Sequence, residues 1–388
     1  MTEVELRFLV RLYNSTLNYY ESKECRQASD PKLVKIVAEA SSFYKVLLDF
    51  KDEGYTYCVD AIVAQTNALE RLQKFISTGL ARLGPPSKKK RFYLYPEVVK
   101  IDGLSDLQFS DGPCFELRAY LSQLDYQSDN ASEIAHCFKS PEQMRHWQAK
   151  TNILMSEMVE FLIWIVKRLQ QQPEVVPVLL LRDTLLVYFG LRWLHDHGLA
   201  IPDPRPLFLS RKFTASFEGD QDIHETLVSD ILYGILNEAG FCDLATLRQL
   251  FVSRASNIFT EEHPFAKGCR AYLNTLSLTG PPLIIESGLH GTFPLWLLTL
   301  TNNVGDFVLY TTAPWLYTTY QDIVFRKNYN YLRDTETIVV HDCLFQFNTW
   351  RDGQVIVAET RNPIAKSLAH YELHLFKQLV KQRMEEFL

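Results

Sequence analysis

The stretch LIIESGLHGTFPLWLL, residues 283–298, decides the fold class. Its first three residues are apolar, a small polar turn follows at 286–292, and a strongly apolar segment comes next. A short apolar run that ends in a glycine-containing turn is typical of a buried strand, and the apolar segment is typical of a covering helix. The turn therefore places two glycines, a carboxyl group, two hydroxyl groups and an imidazole at the carboxyl end of a buried strand.

The same alternation extends over residues 173–388. Strands are predicted at 175–181, 205–210, 281–287, 306–312 and 335–342, and helices at 184–197, 222–238, 243–254 and 264–276. Strands that alternate with helices predict an α/β fold, Rossmann-like, with a mainly parallel sheet and helices on both of its faces. The end of the chain differs: 354–360 alternates like an edge strand, and 363–388 is predicted to be a terminal helix.

The first part of the chain has a different pattern. Within 2–82, apolar residues repeat at helical spacing in three segments, and another helix is predicted from Pro141 to Gln172. We therefore expect a mainly helical N-terminal region at 1–172, with a linker near 84–91, and an α/β domain at 173–388. The basic run Lys88–Arg91 fits either a solvated loop or a phosphate or nucleic-acid contact, and the solvated loop is the commoner case.

Composition narrows the functional class. The chain has 388 residues, of which 47% are hydrophobic and 22% charged, with a net charge of −6. These values predict a globular protein and argue against a general nucleic-acid binder. Its seven cysteines contain no CxxC pair, which indicates reduced thiols rather than a zinc site or a disulfide framework. No signal peptide and no apolar run of about 18–20 residues is evident, so we expect a cytoplasmic protein without a membrane partner.

Candidate site residues follow from one rule: in open α/β sheets, ligands bind outside the carboxyl ends of the strands. The side chains and turn residues at the predicted strand ends are Arg182, Asp183, Ser210, Arg211, Lys212, Glu286, Ser287, Gly288, His290, Gly291, Thr292, Thr311 and Trp315. Because a buried cation is costly unless it is paired, the cations among them predict an anionic ligand. A turn at a helix N-terminus adds backbone N–H groups that can bind the same anion. We expect Glu286 to face outward and accept hydrogen bonds from sugar hydroxyls, or to hold a divalent metal through water.

Each of these residues also has a structural interpretation. Asp183 would serve equally as a helix cap, Thr292 as an N-cap, and His290 as a hydrogen-bonding partner of the backbone. Arg211 and Lys212 fit ordinary loop cations, and Trp315 fits a core aromatic. No third ligand stands at a metal-binding spacing, so no protein-held metal is predicted, and Mg²⁺ is expected only together with a phosphorylated ligand.

The segment LIIESGLHGT resembles the phosphate loop of the type I phosphoribosyltransferase fold, over roughly residues 173–345. That resemblance implies that the loop holds a 5′-phosphate, that Arg182-Asp183 occupies the pyrophosphate-binding position, and that Glu286 holds ribose hydroxyls. The chain has Ser287 where that family has a second adjacent acid. The segments LLLRDT, LFLSRK and GLHGT are also similar to a domain of bacterial haloacid-dehalogenase-associated proteins, which implies a shared site without a known reaction.

Three functions remain open from these residues. The first is a phosphoribosyltransferase-like enzyme that binds a phosphorylated sugar or nucleotide and acts at the anomeric carbon, with Glu286, Asp183 and His290 as catalytic residues. The second is a non-catalytic nucleotide- or phosphosugar-binding protein, regulatory or protein-interacting, whose N-terminal helices either face a partner or form a homo-oligomer. The third is a nucleic-acid-associated enzyme, which the acidic net charge disfavours.

Overall fold

The computed structural model of the chain describes residues 109–181, 183–209, 231–232, 234–235, 242–288, 290–312, 317–320, 322–326, 345–351 and 354–387. The helices predicted within 2–82, the linker near 84–91, most of 222–238 and the strand at 335–342 lie outside the described residues. The expectation of an all-helical N-terminal region therefore stays a prediction.

The described strands are β1 Phe109–Glu116, β2 Val176–Leu181, β3 Arg205–Phe208, β4 Pro282–Glu286, β5 Asp306–Thr311, β6 Val324–Arg326, β7 Phe345–Arg351 and β8 Gln354–Thr360. The helices are α1 Leu117–Ser128, α2 Pro141–Gln171, α3 Leu185–Asp196, α4 Leu244–Ile258, α5 Pro264–Thr275, α6 Thr292–Leu300, α7 Tyr317–Tyr320 and α8 Pro363–Gln382, with short 3₁₀ turns at Ala135–Cys137 and Met384–Glu386.

Five strands form a parallel sheet in the order β3-β2-β4-β5-β6. The apolar strand β2 is buried along its whole length, as expected for a strand covered on both faces. The α/β class is thereby confirmed, with helices around a mainly parallel sheet. From β2 the chain first adds β3 on one side and then returns to place β4 on the other, so the direction of winding reverses between β2 and β4.

Two prolines, Pro177 in β2 and Pro206 in β3, lie inside strands of this sheet without breaking it, and a third, Pro282, begins β4. The N–H of Val176 donates to Pro281 O at 2.8 Å, so the next residue, Pro177, faces the β3 side before pairing with β3 begins at Val178. The N–H of Phe208 donates to the Tyr272 hydroxyl at 2.8 Å, which places Pro206, two residues earlier, on the outer edge of β3. On that outer edge, Pro206 has no N–H, and the N–H of Phe208 is already bonded to Tyr272. A strand edge without free N–H groups is protected from pairing with another chain.

The helices pack in two groups around the sheet. The long helix α2 contacts α3 and α8, while α4 and α5 contact α6. One continuous apolar core includes residues of α1 and α2 as well as those of the later strands, so core packing continues across residue 173. The boundary proposed there stays a prediction. Among the described residues, the helices include none with the length and apolar character required to traverse a bilayer.

The hairpin β7–β8 belongs to a separate antiparallel sheet in the order β1-β8-β7. The expectation of an edge strand at 354–360 is wrong, because β8 is the central strand of this sheet. Burial along β8 alternates over its first four residues and then changes phase, because Val357 and Ala358 are both buried. Alternation in the sequence carries no information about how many neighbours a strand has. The second neighbour, β1, lies in a segment whose sequence pattern is irregular.

Candidate functional site

The reversal of strand order between β2 and β4 marks the switch point of the sheet, where open α/β sheets bind their ligands. Because Leu179 pairs with Ile285, the two strands end side by side. Asp183 follows β2 and Ser287 follows β4, and the Ser287 hydroxyl donates to Asp183 Oδ2 at 3.1 Å. The two strand ends therefore lie close together, as predicted, and a direct hydrogen bond joins them.

Asp183 does not act as a helix cap. The N-cap of α3 is Thr184, which makes no side-chain capping bond, and its hydroxyl donates back to Leu180 O at 2.8 Å. The carboxylate of Asp183 is instead turned toward β4, where it accepts the hydrogen bond from Ser287.

Glu286, the last residue of β4, is the most perturbed acid of the site. Burial, and then the negative charge of Asp183, raises its pKa from 4.5 to about 8. Its Oε2 atom is buried and accepts no hydrogen bond from any residue that the structure describes. The expectation that Glu286 faces outward is wrong for this oxygen, which is buried, although the residue as a whole is partly exposed. At neutral pH the neutral acid therefore predominates.

The turn after β4 adopts a conformation that only glycine reaches easily. Gly288 and Gly291 both have φ of +64°. Gly291 is the N-cap of α6 and supplies no side-chain cap, so Thr292 is the first helical residue and not the N-cap. The first N–H groups of a helix have no partner within it. Pro294 has no N–H, so the donors of this first turn come from Thr292 and Phe293.

The turn is fixed from its other side by β5 and α7. The N–H of Thr311 donates to Ser287 O at 3.2 Å, and the Tyr320 hydroxyl donates to His290 O at 2.9 Å. Thr311 and Tyr320 are both fully buried. The site therefore depends on Tyr320, a residue that sequence reasoning missed, because only the folded chain shows which side chain reaches the turn.

Replacing Tyr320 by Phe removes this hydrogen bond and keeps the ring against Phe307. We expect a loss of about 1 kcal/mol in the free energy of unfolding, typical of one hydrogen bond, measured by urea denaturation. Tyr126→Phe is the matched control, since that side chain is 73% exposed. Equal stability of the two variants would show that the hydroxyl does not hold the turn.

The predicted site residues fall into two groups. The structure describes Asp183, Glu286, Ser287, Gly288, His290, Gly291, Thr292 and Thr311 around the switch point and its turn. Arg182, Ser210, Arg211, Lys212 and Trp315 lie outside the described residues, and their roles stay predictions. The role of the His290 imidazole also stays a prediction, since the contact described above is made by its backbone carbonyl.

The site does not present a full set of metal ligands. In the described part of the chain, no three His, Cys, Asp or Glu residues group in a way that could hold a metal ion. The two acids at the switch point are Asp183 and Glu286, and the second keeps its proton until the pH approaches its pKa of about 8. A protonated carboxyl is a poor ligand for a hard cation.

The site's chemistry is therefore that of an acid–carboxylate pair beside a helix N-terminus. It combines a neutral acid at Glu286, a carboxylate held by Ser287, and the backbone donors of the first turn of α6. Comparison with known proteins adds no identity to this geometry: no protein-family model matches the chain, and no curated protein or solved structure matches it at a significant level.

Proposed function

We propose that the chain is a phosphoribosyltransferase-like enzyme that binds a phosphorylated sugar or nucleotide at the switch point and transfers or hydrolyses its glycosyl group at the anomeric carbon. The observation that carries this proposal is the pairing of two unlike carboxyl groups at one strand edge. Glu286 has a pKa of about 8, while Asp183 accepts a hydrogen bond from Ser287. A carboxyl group that is neutral near pH 7 and lies beside a second carboxyl group is typical of an acid–base pair.

The two carboxyl groups suit the two needs of glycosyl chemistry. Cleavage at the anomeric carbon develops positive charge on the sugar and negative charge on the leaving atom. Glu286 would give its proton to that atom, for example a nucleobase nitrogen, as the glycosidic bond breaks. Asp183 would stabilise the positive charge on the sugar. The incoming water or acceptor hydroxyl then bonds to the anomeric carbon and returns a proton to Glu286.

The turn after β4 suits the phosphate end of such a ligand. Its two left-handed glycines let the backbone approach closely, and α6 begins there without a side-chain cap. Helix N-termini attract phosphate through their N–H groups and dipole. Among the residues that the structure describes, no group of three ligands could hold a metal ion. In this proposal Mg²⁺ would arrive bound to the phosphates of the ligand.

A thermal-shift panel tests the proposal. The ligands are phosphoribosyl pyrophosphate, AMP, ribose 5-phosphate and inorganic phosphate, each with and without Mg²⁺. A ligand at 100 times its dissociation constant should stabilise the protein by about 2.7 kcal/mol. We expect this gain to shrink in Thr292→Ala, which loses a hydroxyl at the start of α6, and to persist in Thr260→Ala, a control at an exposed position. No stabilisation by any member of the panel would overturn the proposal.

Turnover separates the enzyme from its non-catalytic alternative. Ser287 stands where the resembled family has a second acid, and this observation favours a binding or regulatory protein. Each stabilising ligand would be incubated with the protein, and release of base or pyrophosphate followed by chromatography. Product formation supports the enzyme. Stabilisation by a ligand without product formation would support the non-catalytic binding protein and contradict the enzyme.

A further inference from the structure

A second hollow lies between α1, α3 and the start of β3. Its volume is about 360 Å³, and its lining includes Arg118, Ser122, Tyr188, Arg192 and Arg205. Arg205 begins β3 and Arg192 lies in the second half of α3, so the hollow is at the amino edge of the parallel sheet. The switch point is at the carboxyl edge. The hollow is thus separate from the candidate site, and its size suits a small metabolite.

The carboxylates around this hollow already have cationic partners. Asp196 pairs with Arg192 at 3.0 Å, and Asp203 pairs with Arg205 at 3.1 Å. Asp125 pairs with Lys377 at 2.5 Å, and that lysine lies on α8, outside the lining of the hollow. The same lysine also pairs with Asp129, at 3.2 Å. Each carboxylate of the lining, Asp125 and Asp196, therefore has a cationic partner other than Arg118.

Arg118 is the arginine of this lining that has no ion pair with a described residue. Its guanidinium makes no ion pair or hydrogen bond with any residue that the structure describes, and the same holds for the hydroxyls of Ser122 and Tyr188. Burial raises the pKa of Tyr188, while the charges of Arg192 and Arg118 oppose that rise. Arg118 thus lies close enough for its charge to affect the pKa of the Tyr188 hydroxyl. One arginine without an ion pair and two hydroxyl donors thus line the same hollow.

We propose that this hollow binds the carboxylate of a small organic acid through Arg118, Ser122 and Tyr188. A carboxylate carries one negative charge, and a guanidinium that has no ion pair can bind it through two parallel hydrogen bonds. The apolar residues of the lining, Leu121, Phe189, Pro204 and Pro206, provide walls for a hydrocarbon body. A phosphomonoester carries about −1.5 to −2 charges at neutral pH and would leave negative charge unpaired.

An adjoining hollow fits this ligand less well. Its volume is about 330 Å³, and it shares Arg118 and Pro206 with the first. Its lining also contains Glu116, whose carboxylate accepts hydrogen bonds from the backbone N–H groups of Arg118 and Ala119, each at 3.0 Å. No cationic side chain forms an ion pair with Glu116 among the residues described here, so its charge would repel a carboxylate.

Calorimetry and ligand-observed NMR with butyrate, benzoate and inorganic phosphate test the proposal. We expect saturable binding of a carboxylate, tighter than that of phosphate. Arg118→Ala should weaken it at least about tenfold, as for loss of a charged hydrogen bond. Arg118→Lys should retain part of the affinity. Arg145→Ala, an exposed arginine on α2, is the matched control and should bind as the wild type does.

Three results would overturn the assignment. They are the absence of saturable binding by either carboxylate, tighter binding of phosphate, and carboxylate affinity unchanged in Arg118→Ala. Ser287→Ala, which alters the switch point and not this hollow, should leave carboxylate binding unchanged. A loss of binding in Ser287→Ala, with none in Arg118→Ala, would place the carboxylate at the switch point and also overturn the assignment.

Discussion

Replacing Glu286 by Gln should flatten the dependence of protein stability on pH between about 4.5 and 8. In the folded chain the pKa of this carboxyl is about 8, against an ordinary value of 4.5. Between these two values the folded state binds more protons than the unfolded state, so a rising pH favours unfolding. The contribution of Glu286 is fully present below pH 4.5 and is lost as the pH rises through 8.

The size of this effect follows from the difference between the two pKa values. Each unit corresponds to about 1.36 kcal/mol, so the wild type should lose about 4 kcal/mol of stability from this group as the pH rises from about 4.5 to about 8. Glu286→Gln, which keeps the shape of the side chain, should not show this loss. Urea denaturation at several pH values measures it. Glu262→Gln, at an exposed position, should keep the dependence of the wild type.

The same variant separates the structural role of Glu286 from its proposed chemistry. If Glu286 donates the proton to the leaving group, Glu286→Gln should lower turnover by about 10²- to 10⁴-fold while ligand stabilisation persists. A flattened pH dependence with unchanged turnover would confirm the burial of the carboxyl and remove it as the acid. A pH dependence equal to that of the wild type would contradict the burial itself.

The parallel sheet was predictable because its central strands contain continuous apolar runs. The runs VPVLLL and PLIIE are β2 and β4, and strands covered on both faces need such runs. The same pattern predicted where the candidate site lies, because the carboxyl ends of parallel strands meet at one edge of the sheet. Asp183 and Glu286 were therefore expected together from their positions after apolar runs alone.

Strand order and protonation were not predictable in this way. The hydrogen bond between Ser287 and Asp183 requires β2 and β4 to be neighbours, and this depends on long-range packing. The strand β1 contains Asp-Gly-Pro at 111–113, which favours a turn, yet pairing with β8 makes it a strand. The pKa of Glu286 depends on burial by residues far away in the sequence, so the sequence pattern indicated an outward-facing acceptor instead.

A second large effect is expected at the turn itself, from Gly288→Ala. Gly288 has φ of +64°, and an added Cβ would lie 2.9 Å from Leu309 Cδ2 and 3.0 Å from Thr311 O. The left-handed conformation costs about 1–2 kcal/mol for a residue with a Cβ, and overpacking adds about 1–3 kcal/mol. We expect a loss of about 3 kcal/mol in the free energy of unfolding, measured by urea denaturation.

Gly198→Ala separates the two causes. Gly198 has φ of +88°, and no atom lies within 4 Å of an added Cβ, so this variant should lose only the backbone part, about 1 kcal/mol.

At Gly288 the side chain of Leu309 can move, but Thr311 O belongs to β5 and cannot withdraw without disturbing the strand. Because the N–H of Thr311 also donates to Ser287 O, the strain would reach the residue that holds Asp183. Ligand stabilisation should therefore fall in Gly288→Ala and not in Gly198→Ala, and equal losses in the two variants would show that contact with β5 does not constrain the turn.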